Sequence, residues 1–192
     1  MGLRHKKTLE HNGMLNFYLN QPNDDDNSYL VNKRLFQVLC DQFHQNAFET
    51  ISNEDSKLRT YAIFKINIGF EKYLSDIKNP KSRNAITRLR LSNHDLMIEK
   101  GRHKKLDRKM RVCPLCHQGV EDEAHFLFLC NTYKALRDRS FEHYMRNTNF
   151  KYYSTNEKLQ FLMLNLDSNT AKYIYNCFEL RTFLTQNPKT NG

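Results

Sequence analysis

Apolar residues recur at helical spacing through most of this chain. Leu30, Leu35, Phe36, Leu39, Cys40 and Phe43 keep close to a 3.6-residue period, and Ser28 stands where a helix cap belongs. That pattern predicts a first helix from 28 to about 50, broken at Ile51-Ser52-Asn53-Glu54-Asp55. Leu58, Tyr61, Phe64, Ile68 and Leu74 predict a second helix over 56–77, which tolerates Gly69 at a cost of roughly 1 kcal/mol. Asn79-Pro80 reads as a cap followed by Pro at the first helical position, opening a basic helix through Arg90. A short element carries Leu96, Met97 and Ile98. Phe126 to about Met145 has helical spacing again. Ser154-x-x-Glu157 is a capping box ahead of Leu159, Phe161 and Leu162, and Asp167-Ser168 introduces a last helix with Tyr173, Ile174, Cys177, Leu180 and Leu184. The acidic, turn-rich run Gln21 to Asn27 closes a poorly ordered lead-in over 1–27, and the tail over 187–192 frays.

Charge changes this picture in one place. The chain carries +9, but residues 81–112 hold eleven Lys and Arg against three Asp and Glu. A strongly basic segment suits a polyanion. The residues expected to meet phosphates are Arg88, Arg90, Arg102, Lys104, Lys105, Arg108 and Lys109. An ordinary solvated face is the competing reading, as is an internal network in which Arg88 and Arg90 pair with Glu71, Asp95 or Glu99. No apolar run approaches the length of a membrane span, and the first residues lack a secretory apolar core. An intracellular setting without membrane contact is expected.

The cysteines carry the chemistry. Three of the five lie in C-P-L-C-H-Q-G-V-E-D-E-A-H-F-L-F-L-C, where Cys113, Cys116, His125 and Cys130 make C-x2-C-x8-H-x4-C. Three soft thiolates and an imidazole suit tetrahedral Zn²⁺. Residues five apart do not share the face of an ideal α-helix, so His125 or Cys130 has to sit at a helix start or in a distorted turn. His117 is a competitor placed awkwardly beside Cys116. Glu121, Asp122 and Glu123 leave an open catalytic site as a lesser alternative. Cys40 and Cys177 lie in apolar-periodic segments and read as small core residues. Phe126 or Tyr133 could stack on a base or belong to the core.

The whole is expected to be mainly α, a helical domain with a small CCHC zinc-binding loop inserted between helices. Its divisions are 28–112, helical and basic; 113–130, the zinc module; and 131–186, the closing helices.

Several separated motifs occur in an order that resembles the zinc-binding, noncatalytic region of reverse-transcriptase-like proteins of non-LTR retrotransposons. They are Lys57-Leu58-Arg59-Thr60-Tyr61 with Phe64-Lys65, Glu71-x-Tyr73-Leu74, Arg83 with Thr87-Arg88-Leu89-Arg90, and His94-x-Leu96-x-Ile98-Glu99-x-Gly101-Arg102. Arg111-x-Cys113-x2-Cys116 and Val120-Glu121-Asp122-Glu123-x-His125-Phe126-Leu127-x2-Cys130-x2-Tyr133 complete the set over roughly 56–140. The resemblance implies that Cys113, Cys116, His125 and Cys130 bind zinc and that the partner is RNA or DNA. No Tyr-x-Asp-Asp turn of a polymerase palm is present, and Asp167 and Glu179 lack the preceding Pro of the endonuclease pattern. The expected protein is therefore noncatalytic, a short reading frame matching the tail of such an element. A zinc-stabilised protein-interaction module and a transposon relic without activity are the alternatives.

Overall fold

The computed structural model describes residues 15–19, 25–52, 57–65, 69–147 and 149–187, together with Lys7, Glu10 and Gly13. They divide into two units, 1–53 and 54–192. The first unit contains a short helix α1, Leu15–Leu19, and a long one, α2, Asp25–Ser52. Helix α2 begins at Asp25, ahead of the expected cap at Ser28, and runs through Ile51 and Ser52. Most of the expected lead-in, the stretch 53–56 and the tail from 188 lie outside the described residues.

The second unit holds the core. The single helix expected over 56–77 is not there. Helix α3 covers Arg59–Phe64, Lys65 is extended with ψ 103°, and α4 occupies only Tyr73–Asp76; Ile68 lies outside the described residues. The reason is a tertiary contact. Tyr61 Oη donates to Glu71 Oε1 at 2.9 Å, and Lys65 pairs with the same carboxylate. In one continuous helix Tyr61 and Glu71 would stand about 15 Å apart along the axis. Arg90 closes the arrangement, meeting Glu71 at 2.6 Å while lying 4.2 Å from the Phe64 ring centroid and 5.0 Å from that of Tyr73.

Other expected elements form near where the spacing places them, except that the helix expected from Phe126 is broken at Cys130, which is extended, and is α-helical only from Lys134. Helix α5, Pro80–Arg90, is capped by Asn79, whose side chain accepts from the Ser82 amide at 3.0 Å. Helix α6, Met97–His103, follows Leu96. After the cysteine loop come a π-helical turn, His125–Leu129, a 3₁₀ turn, Asn131–Tyr133, and α7, Lys134–Asn147. Helix α8, Thr155–Leu164, carries both hydrogen bonds of the Ser154–Glu157 capping box. Helix α9, Ser168–Gln186, is capped by Asp167.

Helix α9 packs on α5 and α7, and α3 on α8. Ile86, Leu89, Leu127, Leu162, Ile174 and Cys177 are wholly buried between these helices. Phe141, Tyr144, Phe150 and Tyr173 add an aromatic cluster with ring centroids 4.8 to 6.1 Å apart. Among the described residues the extended structure is one isolated bridge, Val112 to Val120. The protein is mainly helical, with a Cys/His loop between α6 and α7.

Candidate metal centre

Two local devices bring four ligand residues together. The first is a knuckle. The Val112–Val120 bridge closes a hairpin, the Cys113 amide donates to Gly119 O at 2.8 Å, and the His117 amide donates to Cys113 O at 3.0 Å. His117 takes the left-handed φ of 56° that this turn requires, so it completes the knuckle and stands outside the ligand group. The second device is the π-helical turn. The Cys130 amide donates to His125 O at 2.8 Å, five residues back. This wider turn brings His125 and Cys130 round to one side, which an α-helix would not do.

The result is compact. Candidate ligand atoms of Cys113, Cys116, His125 and Cys130 all lie within 4.8 Å of one another. The Cys113 and Cys130 sulfurs are 4.0 Å apart, and Cys116 Sγ is 3.2 Å from His125 Nε2. Ligands at 2.0–2.3 Å from a tetrahedral ion would be separated by about 3.5–3.8 Å, so the donor set fits such a cation. Cys113 and Cys130 are buried, and Cys116 is half-buried. The Cys113 and Cys130 sulfurs share a hydrogen bond, which pushes the Cys113 thiol up and the Cys130 thiol down. A cation binding there would take the place of that shared proton.

The three acids inside the loop are all engaged. Glu121, 1% exposed, accepts from Arg181 Nε at 2.7 Å and Nη2 at 2.8 Å, and from the Met97 amide at 2.7 Å. Burial alone would lower the Arg181 pKa, but the Glu121 carboxylate outweighs it and raises it. Asp122 accepts from the His125 amide at 2.9 Å and pairs with Arg108 at 3.3 Å. Glu123 accepts from Ser92 Oγ at 3.1 Å and lies 3.0 Å from His94 Nε2, all three residues being buried. One carboxylate thus ties the loop to α9, the next starts the π-helical turn, and the third joins the turn after α5. Arg181 was invisible to motif reading, and His94 stood in one of the motifs without any sign of its partner Glu123. Arg181 and His94 lie far from the cysteines along the chain and have no recurring spacing to them.

The expected phosphate contacts divide. Arg90 is 4% exposed, hydrogen-bonded to Met163 O at 2.7 Å and paired with Glu71, so it belongs to the interior rather than to a surface patch. Arg88 donates to Asn93 O at 3.0 Å and approaches Asp95 at 3.7 Å. Arg102 pairs with Glu99 at 2.9 Å. Lys104, Lys105, Arg108 and Lys109 are exposed in the segment after α6. This segment is pinned at its base. Arg111 donates to Ile98 O at 3.0 Å and to Leu106 O at 2.8 Å, crossing Gly101 so closely that a Cβ there would meet Arg111 Cγ at 2.4 Å. Its guanidinium therefore serves backbone carbonyls.

Phe126 and Tyr133 are core residues, at most 1% exposed, with ring centroids 5.0 Å apart; neither offers a face to a base. Cys177 is wholly buried, and burial pushes its thiol up to about 12. Among the described residues no helix is long and apolar enough to cross a membrane. No protein-family model, curated protein or solved structure matches the chain, so the functional reading rests on this geometry and on the order of the motifs.

Proposed function

We propose that residues 54–192 form a zinc-organised module that binds single-stranded nucleic acid through its phosphate backbone, and that it derives from the zinc-binding region of a non-LTR retrotransposon reverse-transcriptase-like protein. The carrying observation is the exposed run from Lys104 to Lys109, attached directly to the knuckle. Lys104, Lys105 and Lys109 are exposed and make no ion pair among the described residues. Three thiolates and an imidazole favour Zn²⁺ over harder cations such as Mg²⁺ or Ca²⁺. When bound, the ion supplies a structural cross-link. The module has no catalytic role in this reading: every acid beside the ligands already has a partner, leaving no carboxylate poised to activate water.

The protein's own residues give the ion its effect. The knuckle sets the direction in which the chain leaves Arg111, and Arg111 in turn anchors the lysine-bearing segment across Gly101. Metal binding and phosphate binding are therefore linked. The test is affinity for a labelled single-stranded RNA across a salt series, before and after chelation. Three to five phosphate contacts predict a slope of log K against log salt of about −2 to −3.5. Chelation should abolish most of the binding. Negligible affinity at low salt would refute the proposal.

A protein-interaction role is the second reading. It is favoured by α2, where Tyr29, Phe36 and Phe43 recur at seven-residue intervals and are 66%, 70% and 61% exposed.

A further inference from the structure

Phe128 lies between two candidate ligands, in the π-helical turn, and is only half-buried. It lines a cleft of about 320 Å³ together with Phe141, Phe150, Met145, Arg137 and Lys158. The inner wall is aromatic and the rim carries the cations. Arg137 Nη1 is held by Cys130 O at 3.1 Å. Lys158 Nζ stands 5.8 Å over the Phe150 ring and makes no ion pair among the described residues. Two acids also border the cleft, but Asp138 is paired with Lys134 and Glu142 with Arg146. Beyond Glu142, a second, polar cleft of about 410 Å³ includes Arg139, His143, Asn169 and Lys172. Arg139 and Lys172 likewise lack ion pairs among the described residues.

An aromatic recess with cations at its mouth selects a flat π-system bearing an anion. An apolar peptide side chain would use the recess but not the cations, and an acidic peptide would use the cations but not the rings. A nucleotide uses both, since its base can stack or meet ring edges while its phosphate meets Lys158 or Arg137. The polar cleft on the other side of Glu142 suits the neighbouring phosphate and sugar.

We infer that the cleft between α7 and α8 seats one base of a single-stranded nucleic acid. This deepens, and rests on, the reading of the module as a nucleic-acid binder. The recess is also joined to the metal loop. His125 and Cys130 flank Phe128, and the Cys130 carbonyl holds Arg137, so capture of the metal fixes both a ring of the wall and a cation of the rim. The sequence offered Phe126 and Tyr133 as stacking candidates; the π-helical turn buries Phe126 and leaves Phe128 at the cleft.

The test compares a labelled 12-nucleotide single-stranded RNA with a strand of equal length that is abasic throughout, using the zinc-loaded full chain at low salt. Wild type should prefer the base-bearing strand by about tenfold. Phe128→Ala and Met145→Glu should each collapse that ratio towards one, with zinc content and melting curve retained. Lys104→Glu/Lys105→Glu should weaken both strands and leave the ratio intact. Equal binding of the two strands by wild type overturns the base seat while the phosphate-binding reading stands. Binding of neither strand overturns both. A wild-type preference that survives in both cleft variants overturns the placing of the base in this cleft. Met145 is 47% exposed, so the second variant tests the cleft even if Phe128→Ala disturbs the loop.

Discussion

Helices α2 and α9 are written in the same local language and have different fates. Both repeat apolar residues at helical spacing. In α9, Tyr173, Ile174 and Cys177 are at most 1% exposed, and the face they form packs on α5 and α7. In α2, Phe36 and Phe43 are 70% and 61% exposed. Periodicity therefore specifies a helix and an apolar stripe, while burial is specified by whatever the rest of the chain presents to that stripe. Arg181 adds a second lesson. It is a cation on the buried face of α9, 5% exposed, and is stabilised there by a two-bond pairing with Glu121 of the cysteine loop. The cysteine loop and α9 are thereby parts of one structure.

That contrast is tested most severely at the ligands. Cys113→Ser or Cys130→Ser should remove zinc and melt the loop. Structural zinc contributes on the order of 10 kcal/mol in small zinc modules, so a fall in Tm of more than about 10 °C is expected, read by calorimetry alongside metal analysis. An unchanged melting curve with full metal content would separate α9 from the loop. Arg181→Met should come next, at about 3–5 kcal/mol by denaturant titration, because it leaves Glu121 buried with its charge uncompensated. Adding Glu121→Gln should recover part of the loss; strictly additive effects would show that the two side chains are not coupled.

A smaller effect belongs to the site that replaced the expected second helix. Burial raises the Glu71 carboxyl, but Lys65, Tyr61 and Arg90 outweigh it and bring the pKa below the usual value. The ionised, folded form is thus favoured at pH above the ordinary glutamate pKa of about 4.3. This stability is lost as pH falls through the lower folded pKa. Glu71→Gln should cost about 1–2 kcal/mol at pH 7 and flatten the acid limb of a stability–pH curve. A parallel shift of the curve at all pH values would rule out this origin. The least effect is expected in α2, where Phe36→Ser and Phe43→Ser should each change stability by under about 0.5 kcal/mol. A loss several times larger would break the comparison by revealing a partner for that face.

The legible parts of the fold were those set by neighbours in sequence. Asn79-Pro80, Ser154-x-x-Glu157 and Asp167 mark helix starts because a cap needs only a side chain and amides two or three residues away. The four Cys/His positions were legible because soft ligands at short spacing have few other uses. The need for a distorted turn at His125–Cys130 was also legible, from the mismatch between five residues and the α-helical repeat; the π-helical form of that turn was not.

What remained hidden depends on contacts between distant residues. Local propensity favours a helix through 56–77, and only Glu71 meeting Tyr61, Lys65 and Arg90 explains its interruption. Arg90 read both as a phosphate contact and as an internal partner of Glu71; the pairing formed, but nothing nearby announces the three aromatic rings that enclose it. Sequence by itself determined the helix starts at Asn79, Ser154 and Asp167 and the four candidate ligand positions, since each is encoded within a few residues. Tertiary structure alone decided which charges face water, which acid anchors the metal loop to α9 and which phenylalanine reaches the cleft, because those outcomes arise from chain segments meeting across the core.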